Sequence, residues 1–266
     1  MKKYILSLLL LTLIIQHPLL AQKIQVMSYN IHHGANKQEV NTLAEIGQFI
    51  KDSGAELVGL QEVDSMCNRS GKVDQMKKLG EITGMHYAFV RHFAYEGGAY
   101  GLGILSKYPI SDVRNDRITS LSKGEEKKSL ALLSAKVMLP GKKAIVFSTV
   151  HFALDQPTRI TQSLETIEYL RRGLPAILTG DLNVEPGEKE LLQLESHYTN
   201  IGLEGSDMLT FPDEKATKRI DYILVTKESL NKVIKSWVRT DIHHSDHLPL
   251  MAEIVLKNGS RAKKRG

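Results

Sequence analysis

The sequence has little of several features that mark specialised protein classes. It contains one cysteine, Cys67, in 266 residues. A single thiol excludes a disulfide framework within the chain and any metal site built only from thiolates. Its 20 glycines, 8 prolines and 24% charged residues are ordinary for a globular domain, so they exclude a collagen-like, disordered or coiled-coil chain.

The chain also lacks a hydrophobic run of the length that a membrane-spanning helix needs, about 20 apolar residues. The run from Ile5 to Ile15 follows the basic start Met1-Lys2-Lys3 and ends before Gln16. This pattern predicts a signal peptide over residues 1–21, cleaved near Ala21. We therefore expect a secreted or periplasmic protein without a stable membrane span after cleavage. An uncleaved anchor is the alternative.

The net charge of +5 does not come from the body of the chain. Lys2, Lys3 and the five basic residues after Leu256 account for seven of the 35 Lys and Arg residues, which leaves 28 against 30 acidic residues. Proteins that bind nucleic acid usually concentrate basic charge on a folded face. The composition therefore does not favour a nucleic-acid partner, and residues 257–266 are predicted to form a basic, disordered tail.

No long linker, low-complexity tract or internal repeat divides residues 22–256, so we expect one domain and a monomer. Apolar, β-rich runs cover 24–31, 56–61, 101–105, 129–139, 144–150, 176–179, 220–225 and 250–256. Helical periodicity covers 40–50, 73–82 and 160–170. Several strands are apolar on both faces, as expected for strands covered by helices. The pattern predicts a layered α/β fold.

Polar residues interrupt this pattern at the ends of predicted strands. The positions are Asn30, Glu62, His151, Asp181, Asn183, Asp221, Asp246 and His247. Functional sites in α/β folds are assembled where strands end. Carboxylate and amide oxygens without a set of thiolates suit Mg²⁺ or Mn²⁺ better than zinc.

Six motifs in order resemble the endonuclease/exonuclease/phosphatase superfamily, in particular its small secreted bacterial members. They are Ser28-Tyr29-Asn30-Ile31-His32, Leu60-Gln61-Glu62-Val63-Asp64, Val150-His151, Gly180-Asp181-Leu182-Asn183, Arg219-Ile220-Asp221-Tyr222 and Ser245-Asp246-His247-Leu248-Pro249-Leu250. The superfamily includes deoxyribonuclease I, abasic-site endonucleases, neutral sphingomyelinases and inositol-polyphosphate 5-phosphatases. The likeness extends over about residues 24 to 256.

The resemblance implies a four-layer α/β sandwich, in which two packed mixed β-sheets are flanked by helices. It also implies hydrolysis of a phosphoester with Mg²⁺ or Mn²⁺ as cofactor. Glu62 is then the principal metal ligand, assisted by Asn30 and Asp246. The metal would polarise a phosphoryl oxygen and stabilise the leaving oxygen.

The remaining motif residues take catalytic roles by the same resemblance. Asp181 orients or deprotonates the attacking water, and Asn183 contacts a non-bridging oxygen. His151 donates to the phosphoryl group as negative charge develops. Asp221 bonds His247 and fixes its tautomer. Two general bases remain open at this point, Asp181 or the His247–Asp221 pair.

Two further residues are candidates for substrate binding. Lys128 lies where many relatives carry an arginine, and it is a candidate phosphate contact. Its ammonium group would act as a point charge, in place of the planar, bidentate guanidinium group of arginine. The alternative is that Lys128 belongs to a solvent-exposed run of charged residues without a role in binding. Tyr100, next to Gly97-Gly98, is a candidate for lining the substrate pocket or for covering the sheet edge. The run Gly101-Leu102-Gly103-Ile104-Leu105-Ser106 belongs to the same resemblance, but at Leu102 it lacks an amide that is common in relatives.

Other polar residues flank the motifs. His32, His33, His243 and His244 are candidates for facing the substrate or a transition metal. Arg69 and Asp74 are expected to brace the loop after Glu62 through a charge-assisted hydrogen bond.

The sequence therefore predicts a metal-dependent phosphoric ester hydrolase that acts on a phosphodiester or phosphomonoester, with a small-molecule or lipid head-group substrate favoured. A nuclease acting on DNA or RNA is the first alternative, and a catalytically inactive binding module on the same fold is the second. Substrate identity, one or two metal ions, the oligomeric state and the role of the tail remain open.

Overall fold

The structure, a computed structural model, describes the backbone of residues 23–122, 125–202 and 208–257, and their side chains except those of 122–128 and 142. The predicted signal peptide, the tail beyond Lys257 and the side chain of Lys128 lie outside these described residues. Within these ranges, no helix has the length and apolar character needed to cross a membrane.

Twelve strands and four α-helices make up the described chain. The strands are β1 Lys23–Asn30, β2 Leu57–Ser65, β3 His86–Tyr95, β4 Gly98–Ser106, β5 Ile110–Ser122, β6 Glu125–Leu139, β7 Lys143–His151, β8 Ala176–Asp181, β9 Tyr198–Asn200, β10 Asp221–Thr226, β11 Leu230–Val238 and β12 Leu250–Leu256. The helices are α1 Leu43–Ser53, α2 Gln75–Thr83, α3 Gln156–Leu170 and α4 Lys189–Glu195, and 3-10 turns cover His32–Gly34 and Pro140–Lys142.

The strands form two six-stranded mixed sheets. The first has the order β11-β12-β1-β2-β4-β3, and the second has the order β5-β6-β7-β8-β10-β9. Each sheet has one parallel pair, β1 with β2 and β7 with β8. A parallel pair needs a crossover connection, and α1 and α3 lie in these two connections. The carboxyl ends of each pair therefore lie side by side, and a hydrogen bond from Asn30 at the end of β1 to Asp181 at the end of β8 joins the two pairs at one edge of the molecule.

Three hydrophobic clusters hold the layers together. One cluster fills the space between the sheets and includes Phe147. A second joins the first sheet to α1 and α2, and the third joins the second sheet to α3 and α4. The sheets approach closely at Gly59, where an added Cβ would lie 1.8 Å from Thr179 Oγ1. The predicted four-layer α/β sandwich is confirmed.

The predicted elements match the interior of both sheets. Each of the eight apolar runs is a strand, namely β1, β2, β4, β6, β7, β8, β10 and β12. The three helical patterns correspond to α1, α2 and α3. The sequence did not predict β3, β5, β9 and β11, which are the edge strands of the two sheets, or the short helix α4.

Candidate active site

Strand pairing brings the predicted site residues together. Asn30 pairs with Gln61, directly before Glu62, across the parallel strands β1 and β2. In the second sheet, Asp181 pairs with His151 on one side and with Asp221 on the other. The register therefore forms one group of site residues in each sheet, and the hydrogen bond from Asn30 to Asp181 joins the two groups at one edge of the sandwich.

Asp181 lies at the centre of the site. Its Oδ2 accepts a hydrogen bond from Asn30 Nδ2 at 3.1 Å. The same oxygen is 3.5 Å from His151 Nε2 and 3.6 Å from His247 Nε2. Its Oδ1 accepts from the backbone N–H of Asn183, and the residue is only 2% exposed. Three nitrogen-bearing side chains thus converge on one buried carboxylate oxygen.

Glu62 stands beside this centre and faces the solvent more openly. Asn30 Nδ2 donates to its Oε1 at 3.1 Å, and its side chain is 23% exposed. Its φ of +58° coincides with a break in the β2–β4 register between Leu60 and Val63. A β-bulge of this kind bends the strand and redirects a side chain, which here directs Glu62 to the site.

Asp246 provides a second partly exposed carboxylate. Its side chain is 23% exposed, and His32 Nδ1 lies 3.5 Å from its Oδ1 and 3.9 Å from Glu62 Oε2. Ser245 Oγ donates to the backbone oxygen of Asn30 at 2.7 Å, which ties this loop to the end of β1. Glu62 and Asp246 therefore flank one imidazole nitrogen.

The amide of Asn30 is directed by its hydrogen bonds. Its Oδ1 accepts from the backbone N–H of His32 at 3.1 Å, while its Nδ2 faces Glu62 and Asp181. In this arrangement Asn30 orients the carboxylates of Glu62 and Asp181. To bind a metal, the side chain of Asn30 would have to rotate so that its Oδ1 faces the ion.

His247 and Asp221 form a buried pair. His247 Nδ1 is 2.9 Å from Asp221 Oδ2. Burial disfavours the charged imidazole, but the carboxylates of Asp221, Asp181 and Asp246 together outweigh burial and raise the pKa of His247 to about 10. The ring packs against Phe211 with 4.7 Å between ring centroids. Both ring nitrogens face carboxylates, since Nε2 points to Asp181.

His151 is held by two neighbours on the other side of Asp181. Asn183 Nδ2 lies 3.1 Å from His151 Nε2 and donates to the backbone oxygen of Phe152 at 2.9 Å. The hydroxyl of Tyr100 is 3.4 Å from His151 Nδ1. Burial raises the pKa of Tyr100 well above its ordinary value, and the charge of Glu62 adds to this shift.

These residues line a cleft with a volume of about 1000 Å³. Tyr100 contributes to its wall together with aromatic groups of β3 that the sequence interpretation missed. Phe93 stacks on Tyr100 with 5.4 Å between centroids, and His92 lies 5.6 Å from the same ring. Burial holds the pKa of His92 well below its usual value, and the charge of His151 lowers it further. The wall is therefore aromatic and carries little positive charge.

Arg69 braces the loop after Glu62, as expected, but its partner is Asp64. Its Nε and Nη2 donate to the two oxygens of Asp64 at 2.8 and 2.9 Å. Its guanidinium also lies over the rings of Tyr95 and Tyr100, at 4.7 and 5.6 Å from the centroids. Asp74 instead caps α2 by accepting from the backbone N–H of Lys77.

Replacing Arg69 with methionine is expected to destabilise the fold, because Asp64 is fully buried and would lose its bidentate partner. Breaking a buried ion pair from one side costs about 3–5 kcal/mol, and we expect the lower end because Arg69 is partly exposed. Equilibrium unfolding in urea measures this loss. The double variant Arg69→Met/Asp64→Asn should recover part of it, and equal stability of wild type and Arg69→Met would contradict the bracing role.

The flanking histidines separate into different surroundings. His32 and His33 contact Glu39, and burial together with the charge of Arg69 lowers the pKa of His33. His243 Nδ1 pairs with the buried Asp213 at 3.1 Å. The backbone oxygen of His244 accepts from Thr42 Oγ1.

Comparison with known proteins identifies the relatives of this chain. A sequence model described as the Endonuclease/Exonuclease/phosphatase family matches residues 27–247. Uncharacterized protein YbhP of Escherichia coli K12 is 28% identical over 254 residues, which cover 87% of this chain and 96% of YbhP. A Caenorhabditis elegans protein named "Putative neutral sphingomyelinase" is 23% identical over 283 residues, which cover 85% of this chain and 63% of that protein.

The structural comparison agrees with the sequence relatives. The mannosyl-6-phosphatase of Bacteroides thetaiotaomicron superposes with a TM-score of 0.66 at 21% identity, covering 87% of this chain and 99% of the phosphatase. At this identity the likeness shows the fold. The resemblance stated from the sequence motifs is confirmed by the family match, which spans most of the chain. The protein belongs to the endonuclease/exonuclease/phosphatase family.

Proposed function

We propose that this protein is a divalent-metal-dependent hydrolase of phosphoesters that uses an activated water molecule. The observation that carries the proposal is the convergence of Asn30, His151 and His247 on Asp181 Oδ2, with the Glu62 carboxylate beside them. A carboxylate base surrounded by donors, next to a second and more open carboxylate, is the set of groups that phosphoryl hydrolysis requires.

The donor set fits a hard divalent cation. Glu62 and Asp246 offer partly exposed carboxylate oxygens, and Asn30 offers an amide oxygen after rotation of its side chain. Oxygen donors of this type suit Mg²⁺ or Mn²⁺. When bound, the ion would neutralise charge on the phosphoryl and leaving oxygens. The residues that we propose to hold it are Glu62, Asp246 and Asn30.

Asp181 is the group that we assign as general base. Both nitrogens of His247 face carboxylate oxygens, at 2.9 Å for Asp221 and 3.6 Å for Asp181. An imidazole in this position holds a proton on each nitrogen and has no free lone pair for a water proton. Asp181 therefore accepts the proton as the water oxygen bonds to phosphorus and the bond to the leaving oxygen breaks.

His247, His151 and Asn183 then act on the phosphoryl group as donors. The Nε2 atoms of His247 and His151 lie near Asp181 Oδ2, the side-chain amide of Asn183 lies beside His151, and all three residues line the same cleft. Donors fixed in position before the reaction stabilise the negative charge that develops on the non-bridging oxygens. The buried Asp221 keeps the His247 ring in place and stabilises its positive charge.

The cleft favours a small-molecule or lipid head-group substrate over a long polyanion. One arginine and one lysine side chain, Arg159 and Lys218, are described along the cleft. Arg159 is bound to the buried carboxylate of Glu190 at 2.6 Å and is not free to contact a phosphate. Lys218 makes no ion pair with another described residue, so the described cleft offers little of the basic surface that a long polyanion needs. The names of the worm relative, a putative neutral sphingomyelinase, and of the Bacteroides structural neighbour, a mannosyl-6-phosphatase, agree with this choice. We also propose action outside the cytoplasm, because residues 1–21 have the pattern of a signal peptide.

A substrate panel tests this choice. The purified protein with Mg²⁺ or Mn²⁺ is expected to hydrolyse small phosphodiesters and phosphomonoesters, such as sphingomyelin head groups, nucleotides and sugar phosphates, faster than plasmid DNA. Activity on the small esters should change little with salt, whereas binding to DNA through phosphates depends strongly on salt. A clear preference for DNA or RNA would instead support the nuclease, and inactivity on every ester would support the binding module.

A further inference from the structure

A second cluster of potential ligands lies beside the active site. We call it the rim cluster, and it consists of His32, His33 and Glu39. Glu39 Oε1 is 3.0 Å from His32 Nε2, and Glu39 Oε2 is 3.2 Å from His33 Nε2. One ligand atom from each residue lies within 4.8 Å of the other two. The two imidazole rings are 4.4 Å apart between centroids.

The backbone is shaped to bring these three side chains together. His32 and His33 have positive φ values of 42° and 46°. Such values are uncommon outside glycine and cost about 1–3 kcal/mol each, so they persist only where surrounding contacts enforce them. Gln75 Nε2 supplies one such contact by donating to the backbone oxygen of His33 at 2.6 Å.

The loop that follows returns Glu39 to the two histidines. Ala35 and Asn41 form an isolated antiparallel bridge. Within this loop, Asn36 Oδ1 accepts from the backbone N–H groups of Gln38 and Val40 at 3.0 Å each. Glu39 therefore lies at the tip of a closed loop, with a side chain that is 65% exposed.

We propose that His32, His33 and Glu39 bind a divalent transition-metal ion of the Zn²⁺ class, at a site separate from the one formed by Glu62 and Asp246. Two imidazole nitrogens with one carboxylate are typical ligands for Zn²⁺, Co²⁺ or Ni²⁺, whereas Mg²⁺ prefers oxygen donors alone. Three protein ligands leave a fourth position for water. The exposure of Glu39 gives an ion a path from solvent.

The spacing of the ligand atoms fits this ion class. Ligands at about 2.0–2.1 Å from a tetrahedral zinc ion are about 3.3 Å from each other. The two observed nitrogen–oxygen separations of 3.0 and 3.2 Å are close to this value, although each involves a different oxygen of Glu39. With one ligand atom from each residue, all three atoms lie within 4.8 Å of one another, so a small side-chain adjustment would complete the site. The other nitrogen of His32 faces the Asp246 carboxylate at 3.5 Å, and an outer carboxylate of this kind orients a metal-bound histidine.

Titration with Co²⁺ in the presence of saturating Mg²⁺ tests the rim cluster without reference to activity. The untagged protein is expected to bind one equivalent of Co²⁺ that produces the visible absorption of a tetrahedral site. Glu39→Gln and His33→Ala should each lower the affinity for this Co²⁺ ion by at least about tenfold, because each removes one of three ligands. His86→Ala, which removes an exposed histidine from the far end of β3, should bind Co²⁺ like the wild type.

Glu39→Gln isolates the proposed site, because Glu39 is exposed and the substitution keeps its shape. If wild type and Glu39→Gln took up Co²⁺ with the same affinity and stoichiometry, any bound ion would lie elsewhere and the proposal would be overturned. No uptake by the wild type would also overturn it, leaving the rim cluster as a hydrogen-bonded turn.

Discussion

Replacing Asp181 with asparagine is expected to lower kcat on a small phosphodiester by about 10²- to 10⁴-fold, the range contributed by a positioned general base. The substitution keeps the shape of the side chain, and its single amide oxygen can still accept from the backbone N–H of Asn183, but the hydrogen bond from Asn30 to the other oxygen is lost. It removes the basic oxygen to which a water proton would transfer. Steady-state kinetics on bis-p-nitrophenyl phosphate with saturating metal measures the effect.

The loss should fall on kcat rather than on KM, because the base acts in the transition state and not in substrate binding. Thermal unfolding of the variant provides the structural control. A folded Asp181→Asn protein with kcat within about threefold of the wild type would exclude a base that contributes the usual two or more orders of magnitude. The proton would then have to pass to another group.

The second large effect is expected for His247→Gln. Removal of a preorganised donor to developing charge lowers kcat by about 10²- to 10³-fold. The glutamine amide can still donate one hydrogen bond, but it cannot carry the positive charge that Asp221 stabilises on the imidazole. The rate of p-nitrophenol release under the same conditions measures the loss.

Two variants separate this role from general damage to the protein. Asp221→Asn should also lower kcat, since it removes the carboxylate that holds the His247 ring at 2.9 Å. His86→Ala should leave kcat unchanged, because His86 pairs with Ser106 at the end of β3 and β4 far from Tyr100. Full activity of folded His247→Gln would contradict the proposed donor.

The sequence predicted the interior of the fold because interior strands are buried on both faces. Strand β8 is buried at every position, and such strands read as continuous apolar runs. Edge strands have no such run. Most described side chains of β5 and β11 are only partly buried or exposed, and their sequences are rich in polar residues. In β3 the inward Ala88, Val90 and His92 alternate with Phe89 and Phe93 on the other face, so the sequence shows no clear period-two pattern of apolar and polar residues.

The same distinction explains what could be predicted of the site. Most motif residues stand at or next to the ends of interior strands, and Glu62 lies at the bulge within β2, so much of their proximity follows from strand pairing once the fold is known. The aromatic wall of His92 and Phe93 lies on an edge strand, and it was missed together with that strand. The partner of Arg69 depends on side-chain packing around Asp64, which short-range sequence patterns do not specify.

The sequence also did not predict that Glu39 pairs with both His32 and His33. It depends on two consecutive left-handed residues and on a loop closed by Asn36. Asparagine favours such turns, but the direction of a side chain at the loop tip follows only from the folded backbone.

The most direct test of the central claim is the rate of bis-p-nitrophenyl phosphate hydrolysis by wild type and Glu62→Gln, before and after chelation and with Mg²⁺ or Mn²⁺ restored. We predict that the wild type loses activity with chelator and regains it with either metal. Glu62→Gln should need a much higher metal concentration for any recovery. Equal activity of the wild type with and without chelator would contradict the proposed metal-dependent hydrolase.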